Sequence, residues 1–284
     1  MARRWILDRE RGIAVGEPAG VMGILNVTPD SFSDGGRYAD VETAVRGGRA
    51  MVVEGADWLD VGGESSRPGA GPVEVGEEMR RVVPVIAGLR AAGVRVVVSV
   101  DTCKGAVAAA SIAAGADAIN DIGGGRDLEL LDVAAGARCA LVLMHMRGTP
   151  QTMQQQTPHY DDVVGEVQAS LEASLRAAVA RGVREDAIML DPGIGFGKTA
   201  AHNIELLAAL PRLTAALGRP LLVGVSRKTL VSVVGGLREA PERRDGPSHA
   251  LHAMVGAQCA MLRAHDVAGT RASLRLASAL AAAR

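Results

Sequence analysis

The chain has 284 residues, 48% of them hydrophobic, which excludes a miniprotein and allows one large α/β domain with a sizeable core. Its formal net charge of -1 gives no electrostatic reason to expect nucleic acid or an acidic membrane surface as the main partner. The three cysteines, Cys103, Cys139 and Cys259, form no CxxC pair, and we find no signal peptide or apolar run of membrane-spanning length, so we expect a cytoplasmic protein.

The predicted elements begin with a small β-hairpin, residues 5–7 and 13–15, around a polar D-R-E-R-G turn. From residue 21 onward, short apolar runs alternate with amphipathic or alanine-rich segments. Eight of these runs are predicted strands: residues 21–27, 58–61, 94–100, 118–122, 139–146, 187–190, 221–225 and 260–263. The predicted helices include residues 41–53, 75–92, 105–114, 161–180 and 203–217, and several end at a glycine, the usual helix-stop residue.

Eight βα units in a chain of this length predict a single-domain α/β fold, the (β/α)8 TIM barrel. A doubly wound sheet is disfavoured because no early G-x-G-x-x-G follows a strand. We divide the chain into a hairpin, residues 1–20, which could plug the bottom of the barrel, and the barrel itself, residues 21–284. Since chemistry in such barrels sits where strands end and βα loops begin, the residues after each strand are the candidates for function.

Polar residues follow every predicted strand. The first strand ends near Asn26 and leads into a polar loop, residues 28–36, and the second leads into the glycine-rich loop G-G-E-S-S-R-P-G, residues 62–69. The other strand ends carry Asp101, Asn120, Asp121, Met144, His145, Asp191, Phe196, Ser226, Lys228, Arg263 and His265. The only three lysines of the chain, Lys104, Lys198 and Lys228, each fall just past a strand end.

These residues indicate two kinds of binding. Two carboxylates, an amide and an amine suit a flat heterocycle rich in N–H donors; they belong to Asp101, Asn120, Asp191 and Lys228. A second set suits phosphate, with a magnesium ion allowed between phosphate oxygens and one amide; it comprises Asn26, Ser66, Arg67, Arg263 and His265. Some members also have a plainer explanation: Asn26 as a turn cap, Asp101 as a helix cap, and Arg263 and His265, with Asp266, as a surface ion cluster.

Two other motifs do not meet their requirements. Residues 193–199 resemble a P-loop, but Pro192 stands where the first glycine of G-x-x-x-x-G-K-T belongs, so we discard a nucleoside triphosphatase. The six histidines show no ligand spacing, so we do not expect a zinc site built by the protein alone.

Eight motifs together resemble the dihydropteroate synthase family: NVTPDSFSDGG, DVGGESSRPGA, SVDT, INDI, LMHMRGTP, LDPGIGFGK, VGVSRK and RAHDV. The likeness extends from residue 21 to residue 267, and the first, second and sixth motifs are highly specific. The resemblance implies a TIM barrel that joins 6-hydroxymethyl-7,8-dihydropterin diphosphate to 4-aminobenzoate and releases diphosphate. Such a transferase belongs to tetrahydrofolate biosynthesis and is the target of sulfonamides.

The resemblance also implies roles for individual residues. The pterin pocket would comprise Asp101, Asn120, Met144, Asp191 and Lys228. Diphosphate would be bound by Asn26, Ser66, Arg67, Arg263 and His265, with Asn26 also holding Mg²⁺. The aminobenzoate slot would comprise Ser66, Pro68, Phe196, Ser226 and Lys228. Asp101, Lys228, Arg67 and Asp34 would be the catalytic set, and Phe32, Ser33 and Asp34 would belong to a first loop that closes with the second over the reacting atoms.

In this family diphosphate is thought to leave first, so that the aniline nitrogen attacks a pterin cation, and we find no Ser-His or Cys-His nucleophile that would argue otherwise. The chain departs from the family at Ser66, where threonine is usual, and at residues 235–248, which match loosely and carry Pro247 where a hydroxyl residue is common. That second departure makes a helix there uncertain, and with it the homodimer contact that the family builds from late helices.

Three other classes compete with this interpretation. A pterin-dependent methyltransferase barrel would share the pterin residues but needs no diphosphate site, so the S-R-K and R-A-H-D motifs argue against it. A paralogue that binds pterin without turnover is disfavoured by the two intact loops. An aldolase or isomerase barrel would need a Schiff-base lysine on a strand or a Glu/His base pair, and none stands out.

Overall fold

The computed structural model describes residues 3–6, 12–15, 19–28, 37–65, 71–149, 153, 159–236 and 238–283, with the backbone alone for 3–6, 12–15, 37–40 and 242. Strands β1 (Arg3–Ile6) and β2 (Gly12–Val15) pair antiparallel, which confirms the predicted hairpin, although Leu7 lies outside the described residues. Strand β1 lies against the short 3-10 turn Glu185–Ala187, which precedes a barrel strand. That position is at the amino-terminal end of the barrel; the plug function stays a prediction.

The barrel has eight parallel strands: β3 (Gly20–Asn26), β4 (Trp58–Gly62), β5 (Val97–Asp101), β6 (Ala118–Asp121), β7 (Ala140–Met144), β8 (Ile188–Asp191), β9 (Leu222–Gly224) and β10 (Met261–Ala264). Neighbours in the sheet follow the order β8-β7-β6-β5-β4-β3-β10-β9. A parallel bridge between Leu190 and Leu221 links the two outer strands, so the sheet forms a nearly closed barrel. The predicted TIM barrel is confirmed.

Ten α-helices occur in the described part of the chain: α1 (Arg37–Val53), α2 (Val75–Ala91), α3 (Gly105–Ala113), α4 (Leu128–Ala137), α5 (Val163–Ala180), α6 (Ala200–Ala208), α7 (Leu210–Leu217), α8 (Thr229–Val234), α9 (Asp245–Val255) and α10 (Val267–Ala282). Glycines with positive φ follow several of them, as predicted, at Gly55, Gly93, Gly115, Gly182 and Gly218.

Two predictions of helical segments need correction. Residues 203–217 were predicted as one helix, but α6 begins earlier, at Ala200, and Ala209 separates it from α7. The cause is Pro211, which lacks an N–H and is tolerated only in the first turn of a new helix. For residues 235–248, where the sequence makes a helix uncertain, the structure has a 3-10 turn, Pro241–Arg243, followed by α9, with Pro247 in its first turn.

The low aromatic content is compatible with a filled barrel interior because one large ring sits at its base. Trp58 is fully buried there, among Met22, Met189, Leu222 and Met261, and its Nε1 donates a hydrogen bond of 2.7 Å to Ser99 Oγ. The larger apolar cluster fills the space between the strands and the helices. Because side chains alternate along a strand, every second residue faces the interior, where the apolar base gives way to polar residues toward the carboxyl ends.

Gly-Ala-Asp turns fasten the opposite end of the barrel. Asp57 accepts a 2.8 Å hydrogen bond from the backbone N–H of Val21, and Arg271 binds both Asp57 and the carbonyl of Gly55. The same contacts recur between Asp117, Val98, Arg90 and Gly115. Both turns begin with a Gly-Ala pair, Gly55-Ala56 and Gly115-Ala116, and the carbonyl of each glycine accepts from an arginine, so the two pairs have the same structural role.

Candidate active site

Three of the predicted pterin residues lie at interior-facing positions near the carboxyl ends of β5, β6 and β8. Asp101 ends β5, Asn120 is the penultimate residue of β6, and Asp191 ends β8. All three side chains are buried, although each is polar. The register pairs Asp101 with Asn120 directly, which brings a carboxylate and an amide to the same level of the mouth. Asp101 caps no helix, because Lys104 occupies the N-cap of the following helix α3.

The side chain of Arg263 reaches across the mouth from β10 and binds two carboxylates, those of Asp60 and Asp101. Its Nε donates to Asp60 Oδ2 and its Nη2 to Asp101 Oδ2, each at 2.7 Å. Asn120 Nδ2 also donates to Asp60 Oδ2, at 2.9 Å, and Ser99 donates to the other oxygen of that carboxylate. The guanidinium is thus held by two carboxylates, one at the rim and one a layer below.

Sequence reasoning missed Asp60. It is fully buried inside β4, within the apolar run W-L-D-V, so a lone charge in an interior strand was the available signal. A buried carboxylate needs partners, and Arg263, Asn120 and Ser99 supply them.

Lys228 and Phe196 form the other side of the mouth. Lys228 Nζ donates to the carbonyl of Ile194 and lies 4.4 Å from the centroid of the Phe196 ring. Phe196 packs against a methionine cluster, Met144, Met146 and Met153. Gly224 adjoins this lysine, since a Cβ at that position would lie in van der Waals contact with Lys228 Nζ, at 3.6 Å. A cation and an apolar face therefore lie side by side, next to the polar set.

Burial governs the electrostatics of the mouth. It raises the pKa of Asp101 to about 7, against the lowering effect of Arg263, and it also raises the pKa of Asp191, against the effect of Lys228. Burial lowers the pKa of Lys228 to about 8, against the opposite effect of Asp191. For Arg263, burial would lower the pKa, but Asp60 and Asp101 more than offset it, so the guanidinium stays charged.

Asn26 ends β3 close to Asp101. A Cβ at Gly62, which lies between them in the sheet, would be 3.7 Å from Asn26 Oδ1 and 3.6 Å from Asp101 Oδ2. Among the residues that the structure describes, no group of three or more His, Cys, Asp or Glu side chains could hold a metal ion. The donor set of this corner is therefore one amide oxygen with a neighbouring carboxylate, so any cation here would need most of its ligands from a bound molecule.

Ser226 and His265 contact each other at the ends of β9 and β10. Ser226 Oγ lies 3.0 Å from His265 Nδ1 and accepts a 3.2 Å hydrogen bond from the His265 backbone N–H. The neighbouring Asp266 accepts from the N–H of Gly269 and so caps α10, which gives this one member of the R-x-H-D motif a structural role.

The segment that resembles a P-loop holds no phosphate-binding lysine. Lys198 is buried, and its Nζ contacts the carbonyls of Gly193 and Phe196 and Nδ1 of His145, all within 3.0 Å. Burial lowers the pKa of Lys198 to about 7 and that of His145 to about 3, so the imidazole is neutral. Gly193 has a φ of 66°, and a Cβ there would lie 1.8 Å from the His145 carbonyl, so only glycine allows this packing.

The remaining predicted site residues lie outside the described residues: Phe32, Ser33 and Asp34 of the first loop, and Ser66, Arg67 and Pro68 of the second. Glu64, in the described first part of the second loop, is bound to Lys104. The roles predicted for both loops stay predictions.

The mouth thus combines two buried carboxylates, an amide and a lysine with an apolar face of Met144 and Phe196, next to an arginine at the rim. Acceptors arranged around an apolar slot suit a flat ring with several N–H donors, and the cations suit an anionic group. One described hydroxyl of the mouth contacts an imidazole, Ser226 with His265, and the other described polar groups are carboxylates, an amide and cations. The arrangement as a whole therefore favours binding and charge stabilisation over covalent catalysis.

Comparison with known proteins agrees with this geometry. Residues 22–265 match the model of the pterin binding enzyme family. The chain is 43% identical to a dihydropteroate synthase of Synechocystis sp., over 92% of this chain and 89% of that protein. A dihydropteroate synthase of Xanthomonas albilineans solved with 4-aminobenzoic acid has a TM-score of 0.90 and 47% identity, with 99% of each chain covered. The structure of that species' enzyme with 7,8-dihydropteroate has a TM-score of 0.85 and 44% identity, over 98% of this chain and 99% of that one.

Fold and site therefore define a barrel enzyme of the pterin-binding class. Within that class, the chain belongs to the dihydropteroate synthase family. In the described part of the chain, no helix has both the length and the apolar character needed to cross a membrane.

Proposed function

We propose that the barrel mouth condenses 6-hydroxymethyl-7,8-dihydropterin diphosphate with 4-aminobenzoate to give 7,8-dihydropteroate and diphosphate, a transferase step of folate biosynthesis. One observation supports this assignment most strongly: Asp101, Asn120, Asp191 and Lys228 converge at one end of the barrel, although they come from four different βα units. Carboxylate and amide groups there can pair with the ring N–H donors, while Met144 packs on a ring face.

The leaving group would be stabilised on the same rim. Arg263 is charged and binds Asp101 at the rim. His265 follows two residues later in the sequence and contacts Ser226. We propose that these groups, with Arg67, bind the diphosphate, so that its departure leaves a pterin cation for the aniline nitrogen to attack. Positive groups placed where negative charge develops are a common source of rate enhancement.

A magnesium ion fits the donor set of this corner. Asn26 Oδ1 would be its ligand from the protein, and the diphosphate oxygens would supply most of the rest. When bound, the ion would neutralise charge on the leaving diphosphate. Asp101, whose Oδ2 lies nearby, would remain available to the ring.

The aminobenzoate would lie between the Phe196 ring and the second loop. Lys228 Nζ, 4.4 Å from the centroid of that ring, supplies a cation near the site for the carboxylate. Ser226 was assigned to this slot as well, and in the structure its hydroxyl contacts His265, so its proposed role includes orienting that imidazole.

We also propose a cytoplasmic homodimer. All three cysteines are free thiols, as expected in a reducing compartment. Helices α9 and α10 pack on each other, and Met254, Leu276 and Leu280 on them are largely exposed. Exposed apolar side chains on neighbouring helices favour contact with a second copy.

The direct test is diphosphate release by the purified protein, supplied with the pterin diphosphate, 4-aminobenzoate and Mg²⁺. Release should require both organic substrates, and omitting either should abolish it. Lys228→Ala and Asp191→Asn should each lower kcat/KM for the pterin substrate by about 10- to 100-fold, because a hydrogen bond to a charged group is worth about 1.5–3 kcal/mol.

Asp186→Asn is the matched control, since this carboxylate lies at the other end of the barrel, paired with Arg184. It should leave turnover unchanged. Pterin binding without release would instead support the non-catalytic paralogue, and equal kinetics in all variants would contradict the assignment of the mouth.

A further inference from the structure

Arg227 has a backbone conformation that is unusual for its residue type. Its φ is 59°, in the left-handed region, and in the described part of the chain Arg138 is the only other non-glycine residue with positive φ. Arg138 terminates helix α4, a place where that conformation is common. Arg227 terminates no helix: it lies between Ser226 and Lys228, two residues of the mouth.

Residues 244–248 hold Arg227 through four described hydrogen bonds. The guanidinium donates from Nε to Asp245 Oδ1 at 2.7 Å and from Nη2 to Asp245 Oδ2 at 2.8 Å. The backbone N–H of Arg227 donates to Ser248 Oγ at 3.0 Å, and its carbonyl accepts from Arg244 Nη1 at 3.2 Å. Ser248 is almost fully buried and donates in turn to the Arg244 carbonyl at 2.6 Å, so its hydroxyl has a fixed direction.

These contacts determine where the neighbours of Arg227 point. A non-glycine residue keeps a left-handed conformation only where surrounding contacts impose it, because the Cβ crowds the backbone. The turn at Arg227 directs Lys228 to the Ile194 carbonyl and the Phe196 ring, and it leaves Ser226 against His265. The first turn of α9 is therefore connected to the mouth through one residue.

We infer that Asp245 and Ser248 are positioning residues for the reaction: by holding Arg227 in its left-handed conformation they place Lys228 in the mouth. This inference rests on the proposed function, in which Lys228 binds the pterin. Neither Asp245 nor Ser248 touches a residue of the pterin set directly; both act through the backbone and side chain of Arg227.

Substrate binding and a double-mutant cycle test the inference. Asp245→Ala should raise the Kd for 6-hydroxymethyl-7,8-dihydropterin diphosphate, measured by calorimetry, about tenfold, with a parallel loss of kcat/KM. In a Lys228→Ala background the same substitution should change Kd less than about twofold, because its route to the ligand is already removed. Ser248→Ala should act in the same direction and likewise lose its effect in that background.

Asp132→Ala is the control, because Asp132 makes a two-bond ion pair of the same geometry with Arg181, between α4 and α5, away from the mouth. It should leave Kd unchanged, and Asp245→Glu should recover part of the affinity lost in Asp245→Ala. Equal losses with and without Lys228 would show a merely structural role and overturn the inference, as would unaltered binding by Asp245→Ala. If the wild-type protein itself does not bind the pterin diphosphate, the proposed function fails instead.

Discussion

Lys228 keeps its charge where burial works against it. Burial lowers its pKa to about 8, and Asp191 only partly compensates. Below that pH the ammonium is present and can serve a ring acceptor or a carboxylate; above it the proton is lost, and so is the interaction. The protonation of Lys228 should therefore make binding of the pterin substrate depend on pH.

The pH dependence of kcat/KM reports the pKa values of groups in the free enzyme. We therefore expect kcat/KM for the pterin substrate to fall as the pH rises through about 8, the pKa of Lys228. Lys228→Arg should lower activity but move this basic limb well above pH 9, since a guanidinium stays charged to a pH of about 12 or more. The measurement is the pH profile of kcat/KM from pH 6.5 to 9.5. A limb at the same pH in both proteins would assign it to another group.

Single residues also show what the sequence could supply. Asp101, Asn120 and Asp191 were predictable because each follows an apolar run, where parallel strands place their ends together. The partnership of Asp60 with Arg263 was not, because 203 residues separate the two and only the closed barrel brings them together. Periodicity predicts which face a side chain takes, whereas the choice of partner across a barrel depends on register.

At the scale of elements, Lys104 connects the loop between β5 and α3 to the loop between β4 and α2. Its Nζ contacts Glu64, two residues past the end of β4, and Glu78, on α2, and donates to the carbonyl of Val73 at 2.6 Å. Glu64 and Val73 bracket the stretch that carries Ser66 and Arg67. One lysine on the β5–α3 connection thus ties the two described flanks of the second loop.

Lys104→Met should lower the free energy of unfolding by about 3 kcal/mol, since the buried Glu78 would lose its cation. It should also raise KM for 4-aminobenzoate, because the flanks of the second loop lose their common contact. Urea denaturation and steady-state kinetics measure the two effects separately.

Lys104→Met with Glu78→Met distinguishes them, because removing both charges should restore much of the stability but not the KM. Recovery of both would reduce the lysine to a stabilising residue. Lys104→Arg, which keeps the charge, is the conservative control.

The elements themselves were largely predictable. All eight strands appear where the apolar runs predict them. Four of them, β4, β5, β8 and β10, continue one residue beyond the predicted end, through a polar or small residue. The division of residues 203–217 at Pro211 is the clear error, and proline chemistry could have prevented it.

At the scale of the whole molecule, the described residues of α9 and α10 present exposed apolar side chains on neighbouring helices. Leu276 is 72% and Met254 71% exposed, and Leu280 follows Leu276 by one helical turn. We expect the protein to be a dimer by sedimentation, and Leu276→Lys with Leu280→Lys to give a folded monomer. Val53→Lys on α1, at a residue 88% exposed, should remain dimeric. A wild-type monomer, or a dimer unaffected by the double change, would contradict this expectation.

At this scale the sequence predicted the architecture because eight similar units leave few alternatives, and the resemblance to a known family made the function specific. It could not predict that the first turn of α9, a stretch matching the family only loosely, binds Arg227, the residue between Ser226 and Lys228 of the mouth. That connection depends on two side chains meeting across a loop, which no local pattern encodes.

The double hold on Arg263 has a consequence for how the mouth fills. Asp60 is fully buried and also binds Ser99 and Asn120, so we expect its bond to Arg263 to persist when a ligand enters. Asp101 lies at the rim, where a ligand can replace Arg263 as its partner. A ring that hydrogen-bonds to Asp101 would free Nη2 of Arg263, while the bond from Nε to Asp60 would keep the arginine in place. The freed nitrogen could then turn toward an incoming anion, so occupation of the first half of the cavity would prime the second.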